Sequence, residues 1–159
     1  MSSAVRSEII DTGHPRYKSA RIEIKAAPSR IFAVLANPRR HQEFDGSKTI
    51  TASISGPEKL ALGSKFGMKM HLGINYRITN IVVEYSENQV IAWRHFGRWI
   101  WRYELKDLGN GSTLVTESFD ARSIPLLSRA WLRYRNAYPW TQIAVAKSLV
   151  RLKELVENE

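Results

Sequence analysis

The chain has 159 residues, 24 lysines and arginines against 15 acidic residues, a formal net charge of +9, and no cysteine. That length suits one domain able to bury a core without a staple, and the missing thiols exclude disulfides, thiolate metal sites and cysteine nucleophiles. The positive excess would admit nucleic acid or an anionic surface. However, the basic residues are dispersed, with Arg129, Arg133 and Arg135 the densest group, so a basic surface that keeps the protein in solution is expected and nucleic acid is not the expected partner.

Met1 to Tyr17 carries Arg6, Glu8 and Asp11 and no apolar signal-peptide core. Residues 1–16 are expected to be a loosely held lead-in to one domain over 17–159, in the cytoplasm, since no apolar run approaches the ~20 residues of a membrane span. In Ala20 to Lys25, Ile22 and Ile24 alternate with Arg21, Glu23 and Lys25, the period of a half-buried strand. Pro28 then opens a helix with Ile31, Phe32 and Leu35 on one stripe. Asn37-Pro38 ends it, and Asn37 is placed to cap a second short helix through Gln42.

Strands follow at Thr49 to Ser55, Lys65 to Leu72, Tyr76 to Tyr85, Gln89 to His95, Arg98 to Lys106 and Ser112 to Ala121, with Gly109-Asn110-Gly111 as a turn before the last. From Pro125 a helical pattern places Leu126, Leu127, Ala130, Trp131 and Tyr134 together, and Pro139 is read as interrupting it. Val145, Leu149, Leu152 and Val156 then mark a closing amphipathic helix of about five turns. A strand, two short helices, about six strands in succession and a long helix make an α+β domain.

This order resembles the helix-grip fold of the START-like (SRPBCC) superfamily, which includes polyketide cyclase/dehydrase and lipid-transfer-type proteins. The resemblance is carried by AAPSRIFAVLANPRRHQEF (Ala26 to Phe44), VIAWRH (Val90 to His95), WRYELKDLGNGSTLVTESF (Trp101 to Phe119) and the terminal SLVRLKELVE. It implies a curved antiparallel sheet of six to seven strands around the long helix, enclosing a cavity for a lipid, sterol, polyketide or aromatic molecule. Some members cyclise or dehydrate what they hold, and others carry or sense it. Fold alone does not choose between these.

The expected lining is Phe66, Met68 and Met70 on one strand, Tyr76 and Ile78 on the next, Trp93, then Trp99, Trp101 and Tyr103, with Leu149 from the helix. Methionine and aromatic side chains give an adaptable apolar surface with occasional polar edges, and five tryptophans in one small domain favour enclosed volume over a solid core. A two-residue turn at Gly109-Asn110 would pair Tyr103 with Thr116 and Trp101 with Ser118, putting both hydroxyls inside and Arg102 with Glu117 outside. A one-residue bulge would reverse the strand and bring Glu117 in. If inside, Glu117 becomes the best acid–base candidate, because burial raises a carboxyl pKa.

His95 continues the period of Ile91 and Trp93 and is the second acid–base candidate; His41 is expected at the cavity mouth as a gate. His14 and His71 are expected in solvent. The histidines show no metal-binding spacing and serine-nucleophile signatures are lacking, so neither metal nor cofactor is expected. The stretch RAWLRYRNAYPW (Arg129 to Trp140) admits three readings. Arginines could snorkel over aromatic anchors at an anionic membrane, or the rings could stack on nucleic acid. The expected reading is a surface helix with Trp131 and Tyr134 packed inward. The expected function is binding of a small apolar ligand as carrier or sensor, with cyclase/dehydrase-type catalysis in the same cavity as the alternative.

Overall fold

The computed structural model describes residues 4–159, the side chains at positions 53 and 54 apart. Eight strands form one antiparallel sheet: β1 (Glu8–Ile10), β2 (Tyr17–Ile24), β3 (Ile50–Ser55), β4 (Lys65–Leu72), β5 (Ile74–Ser86), β6 (Val90–Arg94), β7 (Ile100–Asp107) and β8 (Thr113–Asp120). Their order is β1-β2-β8-β7-β6-β5-β4-β3, so the first long strand lies beside the last. Strand count exceeds the expected six to seven because part of the lead-in pairs: Glu8 to Ile10 hydrogen-bonds along the free edge of β2, opposite Arg21 to Ser19. Register shifts occur between β3 and β4 and at Val82/Glu84 between β5 and β6, the kind of irregularity that bends a sheet.

Helix α1 (Pro28–Leu35) begins at its proline and buries Ile31, Phe32, Val34 and Leu35. The Asn37 side chain accepts from the Arg39 N–H at 3.1 Å and starts a 3-10 turn over Pro38–Arg40, which runs into α2 (His41–Phe44). Two further helices are α3 (Leu126–Tyr134) and α4 (Ala137–Glu157). The break between them falls at Asn136, whose φ of 48° is left-handed, and not at Pro139. Pro139 sits within the first turn of α4, where the N–H it lacks would have no intrahelical partner.

Helix α4 is 21 residues long, roughly 31 Å at 1.5 Å per residue. Val145, Leu149, Leu152 and Val156 are fully buried, each removal from water stabilising by about 1.5–3 kcal/mol. Polar ties fix its register against the sheet: Gln142 donates to the Ser19 carbonyl, Lys153 to the Glu23 carbonyl, and the Lys25 N–H to the Glu157 carboxylate. On the other side Gly46 comes so close that a Cβ there would lie 2.4 Å from the Ser148 nitrogen. The Gly46 N–H donates to Ser148 Oγ at 2.8 Å, and Arg151 donates to the Asp45 carbonyl at 2.6 Å. The loop after α2 is thus clamped to the helix.

The turn between β7 and β8 corrects the expected register. Leu108 donates its N–H to the Ser112 carbonyl, leaving Gly109, Asn110 and Gly111 as a three-residue loop with both glycines at positive φ. One extra loop residue moves every partner by one and exchanges the faces of β8. Leu105 therefore pairs with Val115, Tyr103 with Glu117 and Trp101 with Phe119.

Candidate ligand site

The covered face of the sheet carries two aromatic groups. In the deeper one His41 stacks on Trp93 with centroids 4.7 Å apart, and the Phe66 ring meets both edge-on at 5.3 and 5.7 Å. Tyr103 lies 5.7 Å from Trp93 and 6.1 Å from Phe44. All five side chains are buried, together with Met68 and Leu149. The second group, at the end near α3, is Trp99, Trp101, Phe119 and Tyr138. Phe119 is at its centre, 4.9 Å from Trp101 and 6.4 Å from Tyr138. Trp93 and Trp101 are cross-strand partners and join the two groups. Met70, Ile78, Trp99 and Trp101 are only half-buried.

Three polar groups interrupt this lining. Glu117 is 2% exposed and Oε2 finds no hydrogen-bond partner among the described residues. Burial lifts its pKa well above the usual carboxylate range; the neighbouring Tyr103 hydroxyl opposes this and the Asp45 charge adds to it. Tyr103 is itself pushed well up by burial and by the neighbouring carboxylate. His41 donates from Nε2 to the Leu35 carbonyl at 2.8 Å, since a carbonyl can only accept. Nδ1 is thereby a bare acceptor, buried and unpartnered among the described residues. Burial depresses the imidazole to about 4, against the Leu35 bond and the Asp45 charge.

Asp45 acts electrostatically on all three. Its carboxylate accepts from the Ser47 N–H and hydroxyl and from the Thr49 and Ile50 N–H groups, at 2.6–3.0 Å. Chemically the interior combines a carboxyl with a raised pKa, a phenol and an imidazole with a lowered one in an aromatic box. Among the described residues no group of three or more His, Cys, Asp or Glu could hold a metal.

The sequence pattern of the family described as polyketide cyclase / dehydrase and lipid transport matches residues 18–157. The chain belongs to that family. It is 42% identical over 113 residues to the uncharacterized protein Rv0088 of Mycobacterium tuberculosis, covering 70% of this chain and 50% of that one. The chain spans about half the length of the curated relatives it matches. Among solved structures, Ms6760 of Mycobacterium smegmatis superposes with a TM-score of 0.69 at 13% identity over 97% of this chain and 99% of that one. The polyketide-cyclase-like protein Cgl2372 of Corynebacterium glutamicum gives 0.58 at 16% over 89% and 91%. These likenesses establish the helix-grip fold of the family.

Within that fold the structure gathers Phe66, Met68, Met70, Ile78, Trp93, Trp99, Trp101, Tyr103 and Leu149 on the covered side. Tyr76 is at the outer end of β5 and 37% exposed. Thr116 and Ser118 are displaced from the expected position, because the three-residue turn puts them opposite Glu104 and Arg102 on the other face. Arg102 pairs there with Glu84 and Glu104, not with Glu117. His95 lies in the turn after β6, its Nδ1 accepting from the Gly97 N–H at 3.1 Å and its ring edge-on to Trp99 at 4.5 Å. Burial depresses it to about 4.

His41 is deep in the lining, 1% exposed, not at a mouth. The signal was available: His41 and Phe44 fall three apart on one face of α2, so an inward phenylalanine brings the histidine with it. Tyr138 also lines this end, beyond the helix break that Pro139 suggests in the sequence; its hydroxyl is buried without a partner among the described residues. Two of the five tryptophans, Trp131 and Trp140, are exposed, at 55% and 43%.

Proposed function

We propose that this chain binds a small hydrophobic ligand bearing one hydrogen-bonding group, between the sheet and α4, as a carrier or sensor. One observation carries the reading: Glu117 Oε2 and His41 Nδ1 are buried in an aromatic lining with no protein partner among the described residues. A buried polar atom left unpaired costs roughly 1–3 kcal/mol, so a ligand hydroxyl or carbonyl reaching either atom recovers that penalty. The half-buried Met70, Ile78, Trp99 and Trp101 are the side chains that yield to admit it. The description of the family as lipid transport agrees with this.

Native mass spectrometry of freshly purified protein, followed by extraction and identification of what is bound, tests the reading. A co-purifying apolar molecule whose affinity falls about tenfold in Glu117→Gln or His41→Phe supports it. An unliganded mass, unchanged by a panel of lipids, sterols and polycyclic aromatics, removes it. A second reading, cyclase/dehydrase-type catalysis, is favoured by one feature: Glu117 is a buried carboxyl of raised pKa, directly across the ladder from Tyr103. It requires turnover of a bound polyketide-like substrate that is lost in Glu117→Gln while binding persists.

A further inference from the structure

Helix α3 presents its apolar face to solvent. Leu126 is 76% exposed, Leu127 86%, Trp131 55% and Tyr134 82%, and the buried side chain of the helix is Leu132, on the opposite side. At 100° per residue the exposed set forms a stripe roughly 140° wide. This reverses the inward packing expected of Trp131 and Tyr134, and leaves large apolar surface in water where a single helix ordinarily hides it. Its flanks are cationic. Arg129 and Arg133 border one side, and Arg135, which lies 5.7 Å over the Trp131 ring, borders the other. No carboxylate pairs with any of the three among the described residues, and α3 contains no acidic residue. Arg135 also acts by its charge on Tyr76 of β5, and Ile74 at the start of that strand is 72% exposed.

We infer that this surface docks on an anionic phospholipid bilayer, with Leu127, Trp131 and Tyr134 entering the headgroup boundary and the arginines meeting lipid phosphates. The geometry is that of a helix lying in an interface, apolar side down and basic residues along its margins. No helix of the described residues is long and apolar enough to cross a membrane, so contact of this kind is peripheral. A second copy of the chain is a poorer occupant, because pairing the face with itself sets unneutralised arginines against arginines. Tyr138, at the start of α4, touches Phe119 of the interior at 6.4 Å. Docking therefore puts the half-buried end of the aromatic lining next to the bilayer.

The test is co-sedimentation with vesicles, read without reference to any interior ligand, so this inference and the ligand reading can fail separately. Vesicles of equimolar phosphatidylcholine and phosphatidylglycerol should capture the protein, pure phosphatidylcholine should capture at least tenfold less, and added salt should release it. Combining Leu127→Glu with Trp131→Glu should abolish capture and leave the melting temperature unchanged, because both side chains are exposed. Combining Arg133→Gln with Arg135→Gln should weaken capture by roughly 25-fold, about fivefold per charge. Absence of capture, equal capture by neutral vesicles, or undiminished capture of the glutamate variant overturns the inference. So does a dimer in sedimentation equilibrium that Leu127→Glu dissolves, which would assign the face to a second copy.

Discussion

Tyr103 and Glu117 are direct partners across the β7–β8 ladder, both buried, with the phenol beside a carboxyl whose pKa is raised by its burial. A raised carboxyl pKa has a definite consequence for stability. The folded state keeps the Glu117 proton at pH values where the unfolded chain has lost it. The stability is therefore complete below the unfolded pKa and is lost as pH rises toward the folded one. Glu117→Gln has no proton to lose. Its melting temperature should match that of the parent near pH 4 and exceed it at pH 8, by about 2–4 °C for each kcal/mol. A difference that does not change with pH would show Glu117 ionised in the native state.

His41 acts in the opposite sense. Its folded pKa of about 4 lies below the ordinary 6.5, so between those values the unfolded chain binds a proton that the native state refuses. Stability is full above pH 6.5 and falls as pH drops toward 4, by roughly 3 kcal/mol for this group. His41→Phe should be less stable at neutral pH, because the Leu35 carbonyl loses its donor, yet should show a shallower acid slope, by about one proton. Denaturant titrations at pH 7, 6 and 5 read both effects, and parallel curves would exclude a buried neutral imidazole.

Gly46→Ala tests the clamp on α4. A Cβ there would stand 2.4 Å from the Ser148 nitrogen, 2.5 Å from the Ala144 carbonyl oxygen and 2.7 Å from Lys147 Cβ. Two of these are helix backbone and cannot turn aside. The variant should lose about 1–3 kcal/mol by overpacking, with exchange protection reduced around Asp45 and along the middle of α4. A stability change under about 0.5 kcal/mol would mean that the close approach is not maintained.

Trp93→Ala and Trp131→Ala should behave differently. Trp93 is 7% exposed and contacts His41, Phe66 and Tyr103, so its truncation should cost about 3–5 kcal/mol. Trp131 is 55% exposed, and its truncation should change stability by less than about 0.5 kcal/mol. Comparable losses at the two positions would contradict the burial difference and the free face of α3 with it.

Much was legible in the residues themselves. Alternation places Ile22 and Ile24 on a covered strand face and the lysine-bearing positions of β4 outside, because a strand has only two sides. The 4, 3, 4 spacing of Val145, Leu149, Leu152 and Val156 defines the buried stripe of α4, and the Asn37-Pro38 pair ends one helix while capping the next. These are local rules of backbone geometry, and they define the helix-grip order of elements along with most of the lining, from Phe66 to Tyr103. Which way β8 faces was not local. The glycine turn is compatible with either a two- or a three-residue loop, and the outcome follows from what each register would bury: Val115 and Phe119 in one, Leu114, Thr116 and Ser118 in the other. Burying Val115 and Phe119 outweighs the penalty of carrying the Glu117 carboxyl inward. The direction of α3 was likewise a tertiary matter, because an amphipathic pattern says that two faces differ and leaves open which of them the rest of the molecule covers.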